Sequence, residues 1–181
     1  MKKIMFNDKY GLTQAVLEGR KTQTRRTFLK PGEETLLDGI TPEYLISVRS
    51  RYKVGETIAI AQSYADITPQ VDWVKCMIRK EKLGWNNKMF VRAEDMPHHI
   101  RITKIRIERL QDIKSEDCLN EGIWRAGDVG FEGTTYWYHG LANSSFRTPQ
   151  EAYASLIDRI SGKGTWASNP YVFVYDFELI D

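Results

Sequence analysis

Residues 18–26 read Glu18-Gly19-Arg20-Lys21-Thr22-Gln23-Thr24-Arg25-Arg26. Four cationic side chains and two hydroxyls directly follow a glycine. Upstream, Leu12, Ala15, Val16 and Gly19 recur at helical spacing, which predicts a helix over about residues 10–18 with Gly19 at its C-terminal cap. The bland reading of the cationic run is a solvated basic turn. A ligand-facing segment is the sharper reading, and it carries a geometric condition. Lys21 and Thr24 are an odd number of residues apart, so a regular strand would aim them at opposite faces. They can meet only if the chain bends after Gly19.

Before this stretch, Ile4-Met5-Phe6 reads as a short strand. After it, residues 27–50 carry Pro31, Gly32, Gly39 and Pro42 and read as loop with room for a helical turn. Tyr52-Lys53-Val54-Gly55-Glu56-Thr57 turns into a strand at Ile58-Ala59-Ile60-Ala61, and Met89-Phe90-Val91-Arg92 reads as a further strand. Ile100 and Ile102 alternate, then Ile105 and Ile107 alternate in the opposite parity. A strand repeats every two residues, so the slip near Thr103-Lys104 predicts a bulge or break. Ser115 is expected to cap a short helix, Glu116 to Asn120 or Glu121, closed by Gly122. Thr148-Pro149-Gln150-Glu151 is a capping box with proline at the first helical position, and it predicts a helix to about Ile160. Tyr171 to Leu179 is a strand, apolar on both faces at first. Residues 65–99 and 123–147 read as insertions.

The length of 181 residues suits a single domain over 1–181 with a proper core. The composition, 41% hydrophobic and 28% charged, is that of a soluble globular chain, and a net charge of +2 does not by itself argue for nucleic acid. Cys76 and Cys118 stand far apart without a CxxC partner, as free thiols of a reducing compartment do. The apolar run after Met1-Lys2-Lys3 ends too early for a signal peptide, and no stretch is long enough to span a membrane, so a cytoplasmic protein without membrane contact is expected. His98 and His99 are adjacent, cannot chelate one metal from a regular strand, and leave no metal site expected.

The segment 18–26, the 52–57 turn and the strand running into Glu108-Arg109-Leu110-Gln111-Asp112-Ile113 together resemble the ASCH domain of the PUA-like superfamily. The resemblance continues through Ser115-Glu116-Asp117-Cys118-Leu119-Asn120-Glu121-Gly122-Ile123 and ends at Trp166, Asn169-Pro170 and the terminal strand. It spans nearly the whole chain apart from the two insertions, and it is closer to the larger, often phage-associated members. It implies an α+β fold: a PUA-like mixed β-barrel with flanking helices and two loop insertions. It also implies RNA or a nucleoside or nucleotide as partner, and no cofactor.

Some small members of that family hydrolyse the N4-acyl amide of acetylated cytidine. Carried over by motif, their catalytic residues are Lys21, Thr24 and Glu121 here. Thr24 would be the nucleophile, Lys21 its base, and Glu121 the proton donor or orienter. Arg20, Thr22, Arg25 and Arg26, with Gln62, Ser63 and Tyr64 at the end of the second central strand, would bind the ligand. Gln62 stands where the family often has Glu. Arg101, Lys104, Arg106 and Arg109 are most simply the solvent face of the long strand. Two readings stay open: a nucleic-acid or nucleotide-binding module, and an amidohydrolase.

Overall fold

In a computed structural model, the structure describes residues 1–29, 39–67, 83–127, 134–141 and 145–181. Pro31, Gly32, Trp73 and Cys76, and parts of both expected insertions, lie outside these residues.

The elements follow in the order β1 (Lys3–Ile4), α1 (Leu12–Leu17), β2 (Gln23–Thr27), α2 (Pro42–Arg49), β3 (Thr57–Ile60) and α3 (Tyr64–Ile67). Then come β4 (His99–Arg109), α4 (Ser115–Asn120), β5 (Trp124–Ala126), β6 (Thr135–Trp137), α5 (Pro149–Ser161), α6 (Thr165–Ser168) and β7 (Tyr171–Leu179). Five strands form one mixed sheet in the order β1-β3-β4-β7-β2, and β5 and β6 pair separately. Only the β1–β3 pair in the large sheet is parallel.

The long β4–β7 ladder is the spine of the sheet. Its register shifts between Ile102 and Lys104, where the parity of the isoleucines changes in the sequence. The shift keeps Ile100 and Ile102 fully buried. Helix α5 carries the capping box, with Thr148 accepting from the Glu151 amide at 3.2 Å, and it buries Ala152, Tyr153, Leu156 and Ile157.

Among the described residues the expected closed barrel does not form. β1 and β2 are the two edges of an open sheet, and no ladder joins them. β1 is only two residues long, and its single short ladder is already spent on β3. Beyond β1 the chain approaches β2 through one side chain, with Arg26 Nη2 donating to the carbonyl of Met5 at 2.6 Å. A cleft occupies the seam that a barrel would have closed.

Two further expectations change. The 27–50 region contains a true helix, α2, whose N-cap Thr41 accepts from the Tyr44 amide. Thr41-Pro42 is the same start signal as Thr148-Pro149, so the proline marks a helix's first residue rather than a loop. Met89-Phe90-Val91-Arg92 is not a strand; Lys88–Phe90 and Ala93–Asp95 are single 3-10 turns.

Candidate active site in the sheet seam

Two helix ends built alike deliver the central residues. At the end of α1 the Arg20 amide donates to Ala15 O and the Gly19 amide to Val16 O. This is the Schellman arrangement, and Gly19 takes the left-handed conformation it requires, with φ 71°. At the end of α4 the Ile123 amide donates to Cys118 O and the Gly122 amide to Leu119 O, with Gly122 at φ 101°. Any Cβ on Gly122 would also come within 3.1 Å of Leu12. Glycine therefore both closes α4 and lets the two helix ends pack together.

The first turn releases the chain so that Lys21 lies ahead of β2 and escapes its alternation. The Thr22 amide then donates to Asn120 O, and Lys21 Nζ donates to Glu121 O at 2.9 Å. Residues 21–22 thus cap in trans the last carbonyls of α4, where a cation also suits the helix dipole. Lys21 Nζ donates its two other protons to Gln23 O at 2.8 Å and to Glu121 Oε2 at 2.5 Å. Both partners are buried; Lys21 is 2% exposed. Burial holds the Lys21 pKa below the ordinary lysine value, and Glu121 opposes that shift without overcoming it.

Around this pair lies a denser network. Arg25 Nη1 donates to Gln23 Oε1 and, at 3.2 Å, to Glu121 Oε1. Its Nη2 reaches Glu108 at 2.5 Å and Asp117 at 3.2 Å. Gln23 Nε2 donates to Asp117 and Asp176. Arg106 binds Glu108, Asp117 and Asp176. Burial works against the Arg25 cation, but Glu121 and Glu108 outweigh it and raise its pKa. For Asp117, burial is outweighed by the Gln23 hydrogen bond and by Arg25 and Arg106, so its pKa lies below the ordinary carboxylate value. Burial also pushes the Tyr153 phenol well above its usual value and the Cys118 thiol up to about 12, so neither ionises near neutral pH.

A cavity of about 490 Å³ opens along the free edge of β2. Lys21, Thr24 and Glu121 line it together with Arg25, Arg26 and Tyr153, and Leu156, Ile157 and Val172 are among its apolar lining. The bend after Gly19 therefore exists, and Lys21 and Thr24 share a cavity. Thr24 is buried in β2, yet its hydroxyl hydrogen-bonds to no other described residue. Arg26 is exposed and stands at the seam.

The remaining expected residues sit elsewhere. Arg20 pairs with Glu18 at 2.5 Å and lies 3.8 Å over the Trp124 ring, which stacks on Trp137. Thr22 is a backbone anchor, its carbonyl accepting from the Phe177 amide. Gln62, Ser63 and Tyr64 line neither this cavity nor the second one on the sheet. Ser63 exchanges hydrogen bonds with Asp66 to cap α3. Tyr64 bonds Asp95 and packs in a satellite core with Ile67, Val91 and Met96. Gln62 Oε1 is buried without a hydrogen-bond partner.

The sequence reading missed Gln23, Glu108, Asp117 and Asp176 as members of the site, and it placed Arg106 on a solvent face. A signal was present: Arg106 and Glu108 share one face of β4, and Asp117 lies one helical turn before Glu121. Among the described residues no group of acidic, histidine or cysteine side chains could hold a metal ion. His99 instead pairs with Asp181 at 2.7 Å. Among them, too, no helix is long and apolar enough to cross a membrane.

No family model and no curated protein matches the chain. Among solved structures, its whole length is similar to 77% of the chain of protein EF3133 from Enterococcus faecalis V583, described as DUF984. The identity is 16% and the TM-score 0.43, a likeness too slight to fix either fold or function.

Proposed function

We propose that the seam cleft binds a nucleoside or nucleotide and hydrolyses an acyl amide on its base, with N4-acylated cytidine the substrate class that the ASCH resemblance implies. The observation that carries this reading is that Lys21, Thr24 and Glu121 line one cavity of about 490 Å³, a size suited to a small-molecule ligand. Four cations (Lys21, Arg25, Arg26 and Arg106) and four carboxylates (Glu108, Asp117, Glu121 and Asp176) line or neighbour the cavity, so its charge is largely self-compensated. That suits an uncharged base and sugar better than a phosphate track.

The proton inventory sets the order of events. With all three N–H groups engaged, Lys21 rests as an ammonium and cannot take a proton from Thr24. Handing one proton to Glu121 Oε2, 2.5 Å away, frees the lysine lone pair, and burial favours that neutral form. Thr24 Oγ1 then attacks the amide carbonyl as its proton passes to Lys21. The C–N bond breaks, and the base amine leaves with the proton from Glu121. Water hydrolyses the acyl-threonine ester, releasing the carboxylic acid and restoring the hydroxyl. Arg26 is placed to hold the carbonyl or a ribose oxygen.

Incubation with N4-acetylcytidine, followed by chromatography for cytidine and acetate, tests the reading. Thr24→Val should lower kcat/KM by about 100-fold or more, whereas Thr24→Ser should retain turnover. Turnover should fall as pH rises through the lowered Lys21 pKa, because the proton that the Lys21–Glu121 pair shares and delivers to the leaving amine is then lost to solvent. The second reading, a nucleotide- or RNA-binding module without chemistry, is favoured by the full commitment of the Lys21 protons. It is the outcome if ligands bind and no acylated nucleoside is consumed.

A further inference from the structure

A second cavity of about 550 Å³ adjoins the first, and Met5, Arg26 and Thr27 line both. Its chemistry is the opposite of the first. Lys3, Arg26, Arg49 and Arg51 line it, and no carboxylate does among the described residues. Lys3 is not available to a ligand, because its ammonium is held by the carbonyls of Lys88, Met89 and Val91. The arginines are different. Arg26 spends one N–H on Met5 O, and all three are exposed. Neither Arg49 nor Arg51 has a carboxylate partner among the described residues; the Arg51 guanidinium lies 5.6 Å from the centre of the Tyr52 ring.

The floor between them is aromatic. Phe28 stacks on Phe173 at 4.1 Å, and Tyr52 meets Tyr175 edge-on at 5.2 Å. The tyrosine hydroxyls are fixed, Tyr175 with Ser50 and Tyr52 on Lys3 O. Guanidinium groups with unspent N–H donors around an aromatic floor match an anion that accepts in a plane and adjoins a flat or apolar body.

We infer that this cavity is the phosphate subsite of the seam cleft. The ligand class is then a nucleoside phosphate, with its base and sugar in the first cavity and its phosphate on Arg26, Arg49 and Arg51. The inference rests on the reading of the first cavity as a nucleoside site, and it narrows that reading from a free nucleoside to a phosphorylated one. Arg26 joins the two subsites, since it faces both cavities.

The test is titration calorimetry of the full chain with cytidine, CMP and inorganic phosphate, on the wild type, Arg49→Ala/Arg51→Ala and Arg49→Lys/Arg51→Lys. The wild type should bind CMP about tenfold or more tightly than cytidine, as charge-assisted phosphate contacts would give. The alanine pair should bring that ratio to about one, and the lysine pair, which keeps the charge but loses the planar fork, should keep part of it. Unchanged circular dichroism would exclude misfolding as the cause. Equal affinities for cytidine and CMP in the wild type overturn the inference. So does a CMP preference that survives in the alanine pair, or CMP no tighter than inorganic phosphate. If CMP binds as expected while N4-acetylcytidine is not hydrolysed, the hydrolase reading falls and the subsite stands.

Discussion

The two cavities flank one strand, and both are rich in arginine, yet their arginines do opposite things. Arg25 faces α4 and α5 and is wholly buried among Glu108, Asp117 and Glu121. Arg26, its neighbour, is exposed beside Arg49 and Arg51 with no acid among the described lining residues. Strand alternation assigns the two to different faces, and the partners on each face decide the rest. A buried cation must be paired, so its carboxylates are structural before they are anything else. An exposed cation left unpaired stabilises little and is free to meet a ligand.

The sharpest way to break this contrast is to remove the buried arginine. Arg25→Met should cost about 3–5 kcal/mol, because Glu108, Asp117 and Glu121 each lose one of two cationic partners in a half-dry site and keep only Arg106 or Lys21. Equilibrium urea unfolding measures it. A loss under about 1 kcal/mol would mean that water already reaches the network, and the two arginine groups would differ only in degree.

How far the sequence reveals this contrast depends on whether the deciding interaction is local. The Gly19 and Gly122 stops, the Thr148 capping box, the bulge before Lys104 and the terminal strand are each written in a few adjacent residues, and each is found in the structure. Lys21, Thr24 and Glu121 line one cavity. What escaped is long-range. Whether β1 reaches β2 is decided by strand length and pairing choice, not by any motif, and a barrel gave way to an open seam. Ser63 and Tyr64, expected at the ligand site, instead cap α3 and fill the satellite core. Charges were legible as a cluster, but their pairing across about 80 to 150 residues was not.

The next effect is smaller and depends on pH. Lys21 titrates below 10.5 in the folded protein because it is buried. Between its folded pKa and 10.5 the unfolded chain therefore binds more protons, and stability should rise with pH there, by at most about 1.4 kcal/mol per pH unit. Below the folded pKa, the cost of burying the cation is fully present. Asp117 acts at the other end. Its folded pKa lies below 3.8, so the stability it contributes is complete above that value and is lost as pH falls through the folded pKa. Unfolding curves over a pH series, for the wild type and Lys21→Met, separate the two. The alkaline rise should vanish in the variant, and the acid loss should persist.

The smallest expected effect sharpens the contrast most, because its sign is informative. Arg49→Ala or Arg51→Ala should change stability by no more than about 0.5 kcal/mol, as exposed substitutions do. Like charges lining one cavity repel each other, so the change should be a slight gain at low salt that fades once the Debye length falls to about 8 Å at physiological ionic strength. A loss of more than about 1 kcal/mol at either position would instead place these side chains in the fold's own packing, as Arg25 is. A small gain would mean that the cluster is maintained against its own repulsion, which is the cost expected of charges kept for an anionic ligand.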